Sequence, residues 1–159
     1  MGGLAPARVT EAGAAMVPEG RRLFRSLSAK ENLILGGYVK RPGPWSLEKV
    51  YGVFPVLKDK RHQPATSLSG GQQQMAAIGR ALMSNPDLLV LDEQSLGLAP
   101  VVIKDIHAML PKTLGEGLAA ILVDQDVTCA LKVSQNCLCL LEGHVALQGR
   151  SDAFTHAEI

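Results

Sequence analysis

Leu68-Ser69-Gly70-Gly71-Gln72, followed twenty residues later by Leu88-Leu89-Val90-Leu91-Asp92-Glu93, is the stretch on which the fold turns. In the first segment a hydroxyl and two glycines open a helix, whose positive end presents bare backbone N–H groups to an anion. Met75, Ile78, Ala81 and Leu82 share one face of that helix, and Asn85-Pro86 ends it. The second segment is a continuous apolar run, as in a parallel strand buried on both faces. It ends in two carboxylates at the C-terminal end of the strand, where open α/β sheets place their ligands. One such acid can hold Mg²⁺ while the next orients or deprotonates a water. Read singly, each segment has a plainer alternative. The first is then an N-cap serine before a glycine-bearing loop, and the second a pair of acids that solvates a loop.

Upstream, Met1 to Thr10 is a small, Gly- and Pro-containing lead-in to the apolar run Ala14-Ala15-Met16-Val17, a buried strand stopped by Pro18. Ser28-Ala29-Lys30-Glu31 has capping-box spacing and predicts a helix through Leu33-Ile34-Leu35. Arg41 to Trp45 is a Pro/Gly loop, and Leu47, Val50, Tyr51, Phe54 and Leu57 predict a second amphipathic helix. Its tail, Lys58 to His62, is a charge run without stacking aromatics and reads as a solvated helix end. Downstream, Pro100 opens a helix to about Leu114, closed by Gly115 and Gly117. Leu118 to Val123 is another apolar strand, Val127 to Val133 a short helix, and Cys137 to Leu141 a strand turning through Glu142-Gly143-His144 into one ending near Gln148. Strands alternating with helices define an α/β class with parallel strands and flanking helices.

Composition sets the frame. The 159 residues are 47% hydrophobic and 19% charged, which suits one globular domain or most of one. Sixteen Lys and Arg against fifteen Asp and Glu leave a net charge of +1, so no global field draws the chain to nucleic acid or an anionic membrane. No apolar run approaches the ~20 residues of a membrane span, and no signal peptide is legible at the N-terminus. Cys129, Cys137 and Cys139 form no disulfide framework and read as small core hydrophobes of a protein in a reducing cytoplasm. His62, His107, His144 and His156 have no mutual metal-ligand spacing, and Trp45 reads as a packing residue.

In order and spacing, the motifs resemble the ATPase subunits of ABC transporters over essentially the full chain. By that resemblance the fold is the C-terminal part of an ABC-ATPase, P-loop-NTPase-like domain with a helical signature subdomain. Residues from about 14 to 27 form the Q-loop region, about 28 to 84 the helical subdomain, and about 86 to 159 the remainder. Ser69, Gly70, Gly71 and Gln72 then belong to the signature that binds ATP, Asp92 to the Mg²⁺-side acid of Walker B, Glu93 to the catalytic base, and Ser95-Leu96-Gly97-Leu98 to the D-loop at the dimer contact. Val17-Pro18-Glu19-Gly20-Arg21-Arg22-Leu23-Phe24 and Ser95 to Pro100 resemble the branched-chain amino acid importer ATPases in particular. Glu19 occupies the Q-loop position and Gln125 the switch position, substitutions which that subfamily shares. Without the resemblance, Glu19, Arg21 and Arg22 read as a solvated loop. With it, they face a permease.

Two departures stand out. Gln94 follows Glu93 where the family usually has Pro, which loosens a stiff turn. In addition, no Gly-x-x-x-x-Gly-Lys-Ser/Thr occurs in the 159 residues. The family carries that loop upstream of the segment matching Ala14 to Phe24, so the expectation is a chain truncated at the N-terminus. Ser69 to Gln72 then serve a partner subunit's ATP in trans. Asp92 and Glu93, without a triphosphate cradle of their own, leave the isolated chain inactive. Strands are expected to be left with open edges, with marginal stability or dependence on another chain.

The expected whole is the ATP-hydrolysing subunit, as a fragment, of an importer of branched-chain or related amino acids. Its cofactors are ATP and Mg²⁺. Its partners are a second ABC ATPase subunit, membrane permease subunits and, indirectly, a solute-binding protein, with no nucleic acid. It lies in the cytoplasm against the inner face of the membrane. The alternative is a non-catalytic module that lends its signature to a complete partner ATPase. A soluble ABC protein of DNA repair or translation fits less well, since no basic surface accompanies the motifs.

Overall fold

A computed structural model describes residues 3–93, 103, 104, 106, 108, 110 and 117–154, apart from the Cys129 side chain. Three parallel strands, β1 (Ala14–Val17), β2 (Leu88–Asp92) and β3 (Ala119–Val123), form a sheet in the order β1-β2-β3. The register pairs Val17 with Leu91 and Asp92 with Val123, so all three C-terminal ends reach one edge of the sheet. β2 is the central strand, and its Leu89 and Leu91 are fully buried. β3 is apolar throughout, yet Ile121 and Val123 remain half exposed, and so does Met16 of β1.

Helices cover the side of the sheet on which Ala15, Val17, Leu89 and Leu91 lie. In the lead-in to β1, to which the sequence assigned no element, α1 (Pro6–Glu11) forms with Pro6 at its first turn, where a missing N–H costs nothing. α2 (Ala29–Gly36) begins at the expected capping box: Glu31 N donates to Ser28 Oγ at 3.2 Å, and Ser28 N donates to Glu31 Oε2 at 2.7 Å. The single helix expected over Leu47 to Leu57 is two, α3 (Leu47–Val53) and α4 (Pro55–Asp59). Pro55 is the cause. It has no N–H for the preceding turn and keeps Phe54 out of the helical region, at φ −124° and ψ 76°. Both halves still bury their apolar positions, Val50 and Leu57 completely.

α5 (Gly70–Leu82) is the long helix of the layer, and it packs on α2 and β1. Two glycines allow the α2–α5 approach. A Cβ on Gly36 would strike the carbonyl of Arg80, and one on Gly79 would come to 2.8 Å from both Leu33 Cδ2 and Val50 Cγ1. Asn85, left-handed at φ 52°, turns the chain from α5 into β2. Its carboxamide accepts from Trp45 N at 2.7 Å and donates to the carbonyls of Arg41 and Trp45. Trp45 is buried as expected, with the Lys49 ammonium 4.9 Å from its ring centre.

Of the helix expected over Pro100 to Leu114, the described Ile103, Lys104, Ile106, Ala108 and Leu110 are helical, and Ile106 and Leu110 join the core. Gln94, the Ser95-to-Leu98 segment, Pro100, His107 and His156 lie outside the described residues. α6 (Val127–Val133) leads to an antiparallel hairpin of β4 (Asn136–Leu141) and β5 (His144–Arg150), which begins one residue earlier and ends two later than expected and takes His144 into β5 instead of the turn. Its turn, Glu142-Gly143, has φ of 50° and 80°, the two positive values of a tight two-residue hairpin loop. Cys137 and Cys139 are half-buried thiols on β4 rather than core residues. No helix among the described residues is long and apolar enough to cross a membrane.

Candidate functional site

The parallel sheet brings three groups of polar residues to one edge. Glu19 follows β1, Asp92 and Glu93 close β2, and Asp124 and Gln125 follow β3. The edge is built by the strand register. Glu93 N donates to Val123 O at 2.8 Å, which extends the β2–β3 ladder one residue beyond the strand. Glu93 then turns into the left-handed region at φ 46°, a conformation that non-glycine residues hold only where their surroundings fix it. The turn carries its carboxylate to Gln125, whose Nε2 donates to Oε1 at 2.7 Å. Asp126 N in turn caps the Asp124 carboxylate at 2.9 Å. Among the predicted site residues, Glu93 and Gln125 are thus in direct contact, and Asp92 lies half-buried beside them.

Ser69 to Gln72 occupy the N-terminus of α5, where Ser69 and Gln72 bond to each other. Gln72 N donates to Ser69 Oγ at 3.3 Å, and Ser69 N donates to Gln72 Oε1 at 3.0 Å. The capping box leaves the first turn's glycine N–H groups without intrahelical acceptors, the general property of a helix start. The preceding loop is stapled down, with Gln73 Nε2 donating to the carbonyls of Ala65 and Leu68, both at 3.1 Å.

Sequence reasoning overlooked the residues that fix this helix start against β1. Arg21 is half-buried rather than solvated, and its guanidinium donates to Gln74 Oε1 at 3.3 Å and Gln73 Oε1 at 3.5 Å. Arg80, on the same helix, donates to the carbonyls of Arg22 at 2.9 Å and Arg21 at 3.2 Å. The one available signal was composition, since α5 carries Gln73, Gln74 and Arg80 among apolar neighbours. Between α1, β1, α2 and α5 lies a groove of ≈ 400 Å³, lined by Met16, Phe24, Leu35, Tyr38 and Arg80 among others. Met16, Phe24 and Tyr38 are 56%, 54% and 83% exposed and bring large apolar groups together on one surface.

The residues present suit Mg²⁺ and a nucleoside triphosphate in part. Mg²⁺ is held in such sites by one or two carboxylates with phosphate and water oxygens. Among the described residues no cluster of three His, Cys, Asp or Glu forms a self-sufficient metal site. Asp92 supplies one carboxylate at the strand end, and the glycine-bearing start of α5 supplies a phosphate-compatible helix terminus.

The family model described as "ABC transporter" matches residues 5–95. The chain therefore belongs to the ABC transporter family. It is 42% identical to the high-affinity branched-chain amino acid transport ATP-binding protein BraG of Pseudomonas aeruginosa, over 91% of this chain and 63% of that protein. It is 31% identical to a probable branched-chain amino acid transport ATP-binding protein, LivF, of Archaeoglobus fulgidus, over 98% of this chain and 67% of that one. Among solved structures, a dimeric post-hydrolysis state of the ATP-binding cassette MJ0796 bound to ADP and Pi shares the fold with TM-score 0.78 and 24% identity, over 94% of this chain and 68% of that one. The ADP conformation of the cassette MJ1267 gives TM-score 0.76 and 24% identity, over 92% and 64%. The chain thus spans about two thirds of the length of the proteins it matches, and the ABC-cassette assignment of its α/β fold stands.

Proposed function

We propose that this chain forms part of the ATP-hydrolysing subunit of an importer for branched-chain or related amino acids. The observation that carries this reading is the Glu93–Gln125 contact at the carboxyl edge of the parallel sheet, where the family's chemistry requires a base and its orienting partner. Asp92 would hold the Mg²⁺ that accompanies bound ATP. Glu93 accepts the proton of the attacking water, and Gln125 holds one carboxylate oxygen so that the other faces that water. ATP with Mg²⁺ supplies the phosphoryl group and its charge neutralisation, so the protein's contribution is positioning. Glu19, at the end of β1, completes the edge. Ser69, Gly70, Gly71 and Gln72 bind the ATP of a second ATPase subunit, and in this reading the Q-loop region runs over about 14–27, the signature subdomain over about 28–84 and the carboxylate region over about 86–159.

A permease docks on the groove beside β1, where Met16, Phe24 and Tyr38 form an apolar rim. That contact holds the subunit in the cytoplasm against the membrane, and the solute-binding protein acts from the far side of the permease. The test is reconstitution of the intact transporter in vesicles. Branched-chain amino acid should stimulate ATP hydrolysis, and Glu93→Gln should abolish that stimulation while nucleotide still binds. Full stimulated activity in Glu93→Gln would sink the assignment. The alternative, a non-catalytic partner of a complete ATPase, predicts that Glu93→Gln changes nothing while Ser69→Arg stops the partner's turnover.

A further inference from the structure

The segment after β1 is held in a conformation it would not keep alone. Gly20, Arg21 and Arg22 have successive φ values of 74°, 64° and 46°, so two side-chain-bearing residues in a row are left-handed. For a residue with a Cβ that conformation is unfavourable and persists only where surrounding contacts over-determine it. Phe24 is tied to α2, where Asn32 Oδ1 accepts from Phe24 N at 2.9 Å and Asn32 Nδ2 donates to Phe24 O at 3.1 Å, whereas the side-chain contacts at Arg21 and at the Arg21 and Arg22 carbonyls lead to α5. Arg80 reaches from the helix to the carbonyls of Arg22 and Arg21, and its guanidinium lies 5.7 Å from the Phe24 ring centre. Burial lowers the Arg80 pKa, and the two carbonyls and the ring take the place of water around the cation. Arg21 reaches in the opposite direction, to Gln73 and Gln74 one turn into the helix, and it lies against Gly70, where a Cβ would come 3.3 Å from its terminal nitrogen. The guanidinium groups thus clasp from both sides, one from the loop to the helix start and one from the helix end back to the loop.

We infer that Arg21 and Arg80 are positioning residues forming a two-way latch, which makes the turn Gly20 to Phe24 and the Ser69–Gln72 helix start one moving body. Glu19 sits immediately before the latched turn, and Phe24 of the groove is its last residue. A displacement at the groove is therefore passed to both nucleotide-facing elements together, a consequence that rests on the proposed function, whereas the latch itself does not. Lysine cannot replace Arg80, because one ammonium lacks the planar fork that spans two carbonyls. Glycine at position 21 relieves the local backbone strain while removing the clasp, which separates the latch from simple turn stability.

The test is amide hydrogen exchange on the intact protein, read over peptides covering residues 18–24 and 68–75, with residues 88–92 of β2 as the folding control. Arg80→Lys, which loses one of two charge-assisted hydrogen bonds, and Arg21→Gly, which loses two long ones, should each speed exchange in both segments by about tenfold, with β2 unchanged. Arg22→Gly, whose side chain takes no part in the clasp, should keep both segments protected. Native-like exchange in Arg21→Gly, or loosening of residues 18–24 alone in Arg80→Lys, would overturn the latch. In the reconstituted transporter the same two variants should lower solute-stimulated kcat about tenfold with the KM for ATP within about twofold. Unchanged kcat in both would overturn the coupling role. If the native transporter shows no stimulated hydrolysis, the proposed function fails while the exchange experiment still decides the latch.

Discussion

Gln125 donates its carboxamide N–H to Glu93 Oε1 at 2.7 Å, across the ends of the two neighbouring strands β2 and β3. The bond joins residues 32 positions apart, and a carboxamide fixes the carboxylate without adding a charge. In the proposed reaction it sets which oxygen of Glu93 faces water.

Gln125→Ala should therefore lower kcat of the transporter's ATP hydrolysis by about tenfold, the scale of one exposed hydrogen bond to a charged acceptor. The KM for ATP should hardly move, since the contact touches the base and not the nucleotide. Steady-state ATPase assays decide it, and a change confined to KM would count against the role.

Gly79→Ala sets two effects against each other. Alanine gains about 1 kcal/mol of helix propensity over glycine. The new Cβ, however, lies 2.8 Å from Leu33 and from Val50, both fully buried, and overpacking of that kind costs about 1–3 kcal/mol. A net loss of stability is expected by urea unfolding. Gly36→Ala should be worse, because its Cβ meets the Arg80 backbone carbonyl, which cannot swing aside.

Asn85→Ala should destabilise the protein by about 2–4 kcal/mol, combining the left-handed backbone with three lost hydrogen bonds to the Arg41–Trp45 loop. Arg41 contributes to the same junction, bonding Asn85 O, Glu11 O and Asp87 Oδ2. Asn85→Gly restores only the backbone freedom and should recover part of the loss. Equal unfolding midpoints for the two variants would show that the strain contributes nothing.

The start of α2 should respond to acid. The Ser28 hydroxyl and backbone N–H hold the Glu31 carboxyl below its ordinary value. A depressed folded-state pKa stabilises the protein above the unfolded-state value, and that stability is lost as pH falls through the lower, folded-state one. Amide protection over residues 29–33 should accordingly decline as pH drops below the ordinary glutamate range. Glu31→Gln should flatten that dependence, because glutamine can close the same capping box without titrating.

Much of this was legible in the sequence because the signals are local. The Ser28 and Ser69 caps, the apolar β2 run and the Glu142-Gly143 turn each sit within a few residues and act through the backbone. The misreadings have local causes too. The apolar periodicity continues across Pro55 and hides the break between α3 and α4, and α1 buries no residue completely, so it leaves no apolar stripe to read. The scaffolding of the site was not legible: Arg21 with Gln73 and Gln74, and Arg80 with the Arg21 and Arg22 carbonyls, join positions more than fifty residues apart.

The sequence by itself determined most element types, the order of the motifs and the family, since hydrophobic period, caps and motif spacing are properties of the linear chain. Tertiary structure alone decided that Glu93 meets Gln125, that Arg21 is half-buried, and that Ile121 and Val123 stay half exposed. Those facts depend on strand register and helix approach, which are set by packing between distant segments, and the same arginine in a linear sequence reads equally as solvent-facing or as a clasp.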